Sequence, residues 1–311
     1  MGRVGAVLKR AGWLRAIYRS LGRLYNSRIS CASPFLARVP AGHFYSPLPD
    51  AKWVRAHQDS LFRADVTGCP GLDLREERQL AVLGELAGYY ADLRFPASPS
   101  NAFRYHYEND YFSYGDAIVL YGMLRRLRPG RVIEVGSGFS SAVMLDTDDD
   151  CLDRRTRFTF IDPYPQRLLG LLGKEDQGRC EVVRQPVQEV DPGRFEALEE
   201  GDVLFIDSSH VVKIGSDVNH LLTRVLPSLR PGVLVHFHDV FWPFEYPKDW
   251  VLDGRAWNEA YFLRAFLQYN PVFQIEYFNS FMAVRHAAVL REKMPLCTRN
   301  PGGSLWIRRT A

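Results

Sequence analysis

Apolar positions recur along this chain in two rhythms, and the rhythm changes near residue 130. Val7, Ala11, Leu14, Tyr18, Leu21 and Tyr25 fall at alternating four- and three-residue steps, which predicts a helix over 4–26. Lys9, Arg19 and Arg23 take its opposite side and Arg15 its flank, while Gly12 and Gly22 weaken it. Residues 40–50 are rich in Pro and Gly and read as a loop. Leu80, Leu83, Ala87 and Tyr90 predict a second helix over about 75–93, and Gly115 to Arg128 a third, halted by Pro129-Gly130. Beyond that stop, short β-branched or aromatic runs alternate with helical stretches. Strands are predicted at Arg131–Val135, Phe158–Ile161, Cys180–Arg184, Val203–Ile206 and Val233–Phe237. Helices are predicted from Ser140, over Gln166–Leu172, over Ser216–Leu226 before Pro227, and over Trp257–Tyr269. Phe273–Phe278 and Ser304–Arg308 then predict a hairpin whose long connection holds Pro295 and Pro301-Gly302-Gly303. Strand and helix alternating at this spacing predict an α/β fold with a mostly parallel sheet, covered on both faces.

Composition narrows the function. The chain has 311 residues, 46% hydrophobic and 24% charged, as an ordinary folded protein does. Its net charge is only +3, yet residues 1–49 hold eight Lys and Arg and no Asp or Glu, so the remainder carries −5 by subtraction. A body of that sign is not built to bind nucleic acid. The basic helix at 4–26 has two readings, a peripheral contact with an anionic membrane or docking on the main domain or a second subunit. The five cysteines are scattered with no C-x-x-C pair, which suits a reducing compartment and gives a cytoplasmic expectation. By composition the chain divides into a basic extension and linker (1–50), a helical and aromatic cap (51–110) and a main domain (111–311).

The turn Glu134-Val135-Gly136-Ser137-Gly138 directly follows one predicted strand and precedes a helix. Glycines there let the backbone turn sharply beside a helix N-terminus with free N–H groups. The dinucleotide fingerprint wants a third glycine where this chain has Ser141, which counts against a nicotinamide-dependent oxidoreductase. Asp162 ends the second strand, 26 residues after Gly136. It is placed to accept from a ribose diol, or to initiate the turn at Pro163.

Two further strand ends carry chemistry. Asp207, Ser208, Ser209 and His210 follow the fourth strand, and His238-Asp239 follow the fifth. Neighbouring strands lie about 4.8 Å apart and open into one crevice, so these groups converge although they are distant in sequence. Asp207, His238 and Asp239 suit a divalent cation, and His210, with an ordinary pKa near 6.5, suits a general base. An imidazole ligand tilts the site from magnesium towards manganese, iron or zinc, or towards no metal. His236 reads as a hydrogen-bonded core histidine. The aromatic loop from Phe241 to Trp250 suits a carbohydrate, aryl or polyketide-like acceptor, and equally a packed lid or a dimer contact.

Glu134–Gly138, Asp162 and Pro231-Gly232 before a strand together resemble the class I S-adenosylmethionine-dependent methyltransferases over roughly residues 110–310. The resemblance implies a Rossmann-like doubly wound sheet of seven strands with the last antiparallel. It also implies S-adenosylmethionine at Glu134, Gly136, Ser137 and Gly138, with Asp162 on the ribose and Gln188 near the adenine. Asp207-x-x-His210 with Asp239 further resembles the metal-dependent sugar O-methyltransferases of the macrocin type. That likeness implies a small-molecule acceptor, His210 as base and a metal at Asp207 and Asp239. His238 departs from the pattern, which has an acidic residue there. A non-catalytic nucleotide-binding scaffold is the remaining alternative, and a homo-oligomer is compatible with all of these readings.

Overall fold

The computed structural model describes residues 39–63, 65–176 and 178–311. The helix expected over 4–26 lies outside them, and with it the membrane and docking readings. The chain divides into two compact units, Met1–Leu61 and Phe62–Ala311. The described part of the first holds two short helices, Ala51–Ala56 and Gln58–Leu61, the former capped by the Asp50 carboxylate accepting from the Lys52 and Trp53 amides. The second unit begins at 62 rather than 111, because most of the segment taken for a separate cap packs onto the sheet domain.

That domain is built on strands β1 (Arg131–Val135), β2 (Arg157–Ile161), β3 (Cys180–Val183), β4 (Val203–Ile206), β5 (Leu234–Phe237), β6 (Phe273–Phe278) and β7 (Leu305–Arg309). They form one sheet in the order β3-β2-β1-β4-β5-β7-β6. The first five strands run parallel, and β7 is antiparallel to both β5 and β6. β4 and β5 are buried along their whole length, which is why β4 reads as an unbroken apolar run and β5 as one broken only by His236, rather than as alternating strands. The order reverses beside β1, so the tips of β1 and β4 diverge and leave a crevice between their loops.

Helices α1 (Glu76–Tyr90), α2 (Tyr114–Leu127) and α3 (Phe139–Cys151) pack in series. α1 buries Gln79, Val82, Leu83 and Leu86, a stripe at helical spacing, and carries Glu76 and Glu77 where the helix dipole favours anions. Gln79 also accepts from the Phe278 amide at 2.9 Å, tying α1 to β6. α2 is buried from Tyr114 to Met123 and Leu124, and stops at Arg128, left-handed ahead of Pro129. α3 is buried from Ser140 to Asp148 although five of those nine residues, Ser140, Ser141, Asp146, Thr147 and Asp148, are polar or acidic. Their partners explain it. Arg104 binds Asp146 at 2.7 Å, Asp149 at 2.8 Å and Asp176 at 2.7 Å, and Arg179 binds Asp148 and Asp149 at 2.7 Å each. This knot fixes the aromatic segment before α2 against α3, with the Tyr105 hydroxyl donating to the Phe112 carbonyl at 2.8 Å.

Three expectations change. The helix after β2 is a single turn, Gln166–Leu169, ended at Gly170. The helix before Pro227 is continuous in course but opens into a π turn at Leu221–Val225 between Asp217–His220 and Leu226–Ser228. The connection from β6 to β7 holds two helices, α5 (Asn279–Arg285) and α6 (Ala287–Lys293), following α4 (Glu259–Leu267) in the chain. No helix among the described residues is long and apolar enough to cross a membrane.

Candidate functional site

β1 delivers the glycine turn to the crevice. Gly136 has φ 81, and a β-carbon there would stand 2.0 Å from the Asp207 carbonyl oxygen, so β4 abuts the turn and only glycine fits. The Asp207 amide donates to the Val135 carbonyl at 2.8 Å, locking the two strand ends together. Glu134 does not line the cavity. Its side chain is fully buried behind the turn and accepts from the Ser140 and Ser141 hydroxyls, while the Ser141 oxygen accepts from the Gly138 amide at 3.0 Å. The expected cofactor contact at Glu134 is thus a fastener under the turn. Burial pushes its carboxyl up to about 8 despite those two hydroxyls. Ser141, which displaces the third dinucleotide glycine, completes the same brace.

The turn opens into a cavity of about 1150 Å³, lined among others by Gly136, Ser137, Gly138, Asp162, Gln188 and Asp207. That exceeds the usual volume of one drug-sized ligand site, roughly 300–1000 Å³, and leaves room for a second molecule. Asp162 initiates the expected turn and is also tied to the glycine turn. One oxygen accepts from the Tyr164 amide at 2.7 Å and so forms the turn, and the other accepts from the Ser137 amide at 3.2 Å and hydroxyl at 2.8 Å. The carboxylate is thereby fixed at the cavity wall. Gln188 lies on the wall too, its amide donating to the Gly215 carbonyl at 2.7 Å.

The tips of β4 and β5 bring the predicted reacting groups together. His210 Nε2 stands 3.5 Å from Asp207 and 3.7 Å from Asp239, and His238 Nδ1 stands 3.4 Å and 3.8 Å from the same two carboxylates. Two more carboxylates complete the set. Glu259, at the start of α4, binds His210 Nδ1 at 2.9 Å and accepts from Ser208 at 3.1 Å. Asp116, in the first turn of α2, lies 3.6 Å from His238 Nε2 and accepts from the Ser304 hydroxyl at 2.6 Å. Because that hydroxyl donates to Asp116, it must accept from His236 Nε2 at 2.8 Å, which fixes the His236 tautomer. His236 is a core residue as expected, stacked on Phe205 at 3.7 Å, and burial holds its pKa well below the ordinary value. Asp116 had no sequence signal, being a lone acid near a helix start. Glu259 had only its place after the aromatic loop.

Protonation follows from this geometry. Burial discourages charge on His210 and His238, but the carboxylates outweigh it. His210 is raised to about 10 by Asp207 and Glu259, and His238 well above its ordinary value by Asp239, Asp207 and Asp116. Asp207 is opposed by burial too, yet the two imidazoles hold it far below the carboxylate range. Asp239 moves the other way, raised because burial prevails over both imidazoles. His210 and Asp239 also adopt left-handed backbone, φ 59 and φ 57, a conformation uncommon for residues with side chains. Among the described residues no group of three or more His, Cys, Asp or Glu is arranged to hold a metal ion, although His238 Nδ1 is buried without a hydrogen bond.

Residues 133–240 match a family model described as a methyltransferase domain. A protein of Archaeoglobus fulgidus, described as uncharacterized, is 37% identical over 167 residues, spanning 52% of this chain and 74% of its own length. Among solved structures, the SAH-bound methyltransferase PaMTH1 of Podospora anserina is 17% identical, covering 88% of this chain and 99% of its own, with a TM-score of 0.40. The SAM-bound O-methyltransferase TomG of Streptomyces achromogenes is 14% identical, covering 83% and 96%, with a TM-score of 0.38. With the glycine turn on β1, an acid on β2 and a sheet ending in an antiparallel pair, the matched segment is a methyltransferase domain of the S-adenosylmethionine-dependent type.

Proposed function

We propose that this enzyme methylates a hydroxyl of a sugar or other small metabolite, and that the cluster at the tips of β4 and β5 manages the proton that leaves. The observation that carries the reading is the convergence of Asp207, His210, His238 and Asp239 beside the cavity that Gly136, Gly138 and Asp162 line. In this reading the cofactor lies on Gly136, Ser137 and Gly138, with its ribose at Asp162 and its adenine near Gln188. Transfer from a sulfonium is an in-line displacement, so the protein supplies position and a deprotonated oxygen. A base must be unprotonated to act, and the surroundings of His210 favour its imidazolium. Asp239, a carboxylate of raised pKa on the cavity wall, is better matched to receive the proton, with His210 and His238 compensating charge around it.

A second reading places a divalent cation at Asp207, His238 and Asp239. It is favoured by His238 Nδ1, buried without a hydrogen bond 3.4 Å and 3.8 Å from two carboxylates, and opposed by the raised pKa of that imidazole and by the absence of a ready-made coordination shell among the described residues. Calorimetry with S-adenosylmethionine tests the shared premise, and failure to bind at millimolar cofactor would sink both readings. Elemental analysis and activity after chelation separate them. Stoichiometric metal, with activity lost on its removal and restored by readdition, selects the second.

A further inference from the structure

The wall of the cavity beyond the acid cluster is aromatic, and one cation stands on it. The Arg255 guanidinium lies 4.1 Å over the Trp250 ring and 5.0 Å from the Trp257 ring. Trp257 in turn lies 4.3 Å from His210, and the two tryptophans meet edge to face at 5.4 Å. Trp250, Trp257 and Arg255 all line the same cavity as Asp207 and Asp239. Among the described residues no carboxylate pairs with Arg255, whereas Arg104, Arg125, Arg126 and Arg179 are each held by one or more. Its backbone is fixed by the Arg255 amide donating to the Trp250 carbonyl at 3.0 Å.

A guanidinium stacked by its face keeps its N–H edge available for two parallel bonds to a carboxylate or phosphate. The stack also restrains the side chain before anything binds, which lowers the ordering cost of recognition. The opposite requirement comes from the cluster. Asp116, Asp207, Asp239 and Glu259 gather four carboxyl groups around two imidazoles, so an anionic acceptor is best accommodated with its charge at the other wall. The way from Arg255 to the reacting groups passes over a single tryptophan ring.

We infer that the acceptor carries a carboxylate or phosphate about one ring away from the hydroxyl that is methylated, and that Arg255 binds that anion while Trp250 and Trp257 hold the ring between. The inference rests on the hydroxyl-methylating reading above and adds the acceptor's charge. Arg299 is the natural control, being stacked on Tyr114 at 5.3 Å and not among the residues that line the cavity.

The test is calorimetry on protein saturated with S-adenosylhomocysteine. The probes are 4-hydroxybenzoate against 4-hydroxybenzamide, and glucuronate and glucose 6-phosphate against glucose. The aryl and sugar arms distinguish the scaffold, and the two sugar acids distinguish carboxylate from phosphate. At least one anionic probe should bind ten-fold or more tightly than its neutral counterpart. Arg255→Met should abolish that preference, Arg255→Lys should keep part of it, and Arg299→Met should leave it in place. No preference in any arm, its survival in Arg255→Met, or its loss in Arg299→Met overturns the inference. Binding of S-adenosylhomocysteine is measured first in every variant. Its failure in the unmodified protein counts against the methyltransferase site reading, whereas retained cofactor binding with no anion preference counts against Arg255 only.

Discussion

Replacing Gly136 by alanine tests the claim that two strand ends are built into one site. The β-carbon would fall 2.0 Å from the Asp207 carbonyl oxygen, and the neighbour is backbone, which cannot swing aside. Left-handed backbone costs a residue with a β-carbon about 1–2 kcal/mol, and forced overpacking adds about 1–3 kcal/mol. A combined loss of about 3 kcal/mol lowers the melting temperature of a domain this size by roughly 6–12 °C. Gly201→Ala supplies the comparison, since its φ is 87 with no atom within 4 Å, so it bears the conformational cost without the collision. Because the displaced group is Asp207 itself, S-adenosylhomocysteine affinity and turnover should both fall in Gly136→Ala. Scanning calorimetry and cofactor titration of both variants decide the matter. Equal melting shifts in the two, with unchanged cofactor affinity in Gly136→Ala, would refute the coupling of turn and cluster.

Three further outcomes follow from the same geometry. Glu134 binds its proton more tightly folded than unfolded, so its contribution to stability is full below pH 4.5 and is lost as pH rises through about 8; Glu134→Gln should flatten that decline in denaturant melts taken across the interval, and an unchanged slope would count against burial as its cause. His210 likewise contributes stability below pH 6.5 that disappears as pH approaches about 10; in Glu259→Gln its imidazole NMR signals should titrate at distinctly lower pH, and an unmoved titration would remove Glu259 as a partner. Asp116→Asn can still accept from Ser304 but turns an amide towards His238, so turnover should fall ten-fold or more with the cofactor affinity little altered. Loss of cofactor affinity instead would place Asp116 in the cofactor pocket.

The sheet was legible because each strand announces itself locally. β1, β4 and β6 begin and end where their β-branched and aromatic runs do. The glycine turn was legible because few residues tolerate such a bend between a strand and a helix. What escaped depends on three-dimensional neighbours. Glu134 looked like a ligand because it adjoins the turn, yet the strand's pleat sends its side chain behind it, to Ser140 and Ser141. Asp116 escaped because only α2's docking beside Ser304 and His238 gives it meaning. The helices of the β6–β7 connection escaped because Phe281, Met282 and Leu290 are too few to mark a stripe in two short segments.

The left-handed backbone at Asp239 sets stability against activity. Glycine there would relieve about 1–2 kcal/mol of backbone cost and remove a carboxyl whose charged form burial disfavours. Asparagine would achieve part of the same. Selection for thermal resistance alone, in a library or by a stability-guided redesign, would therefore favour erasing this side chain first. A hardened variant with its sheet intact and its proton acceptor gone is the expected product of such a search. Conversely, a homologue that keeps this residue keeps it against the interest of its own fold.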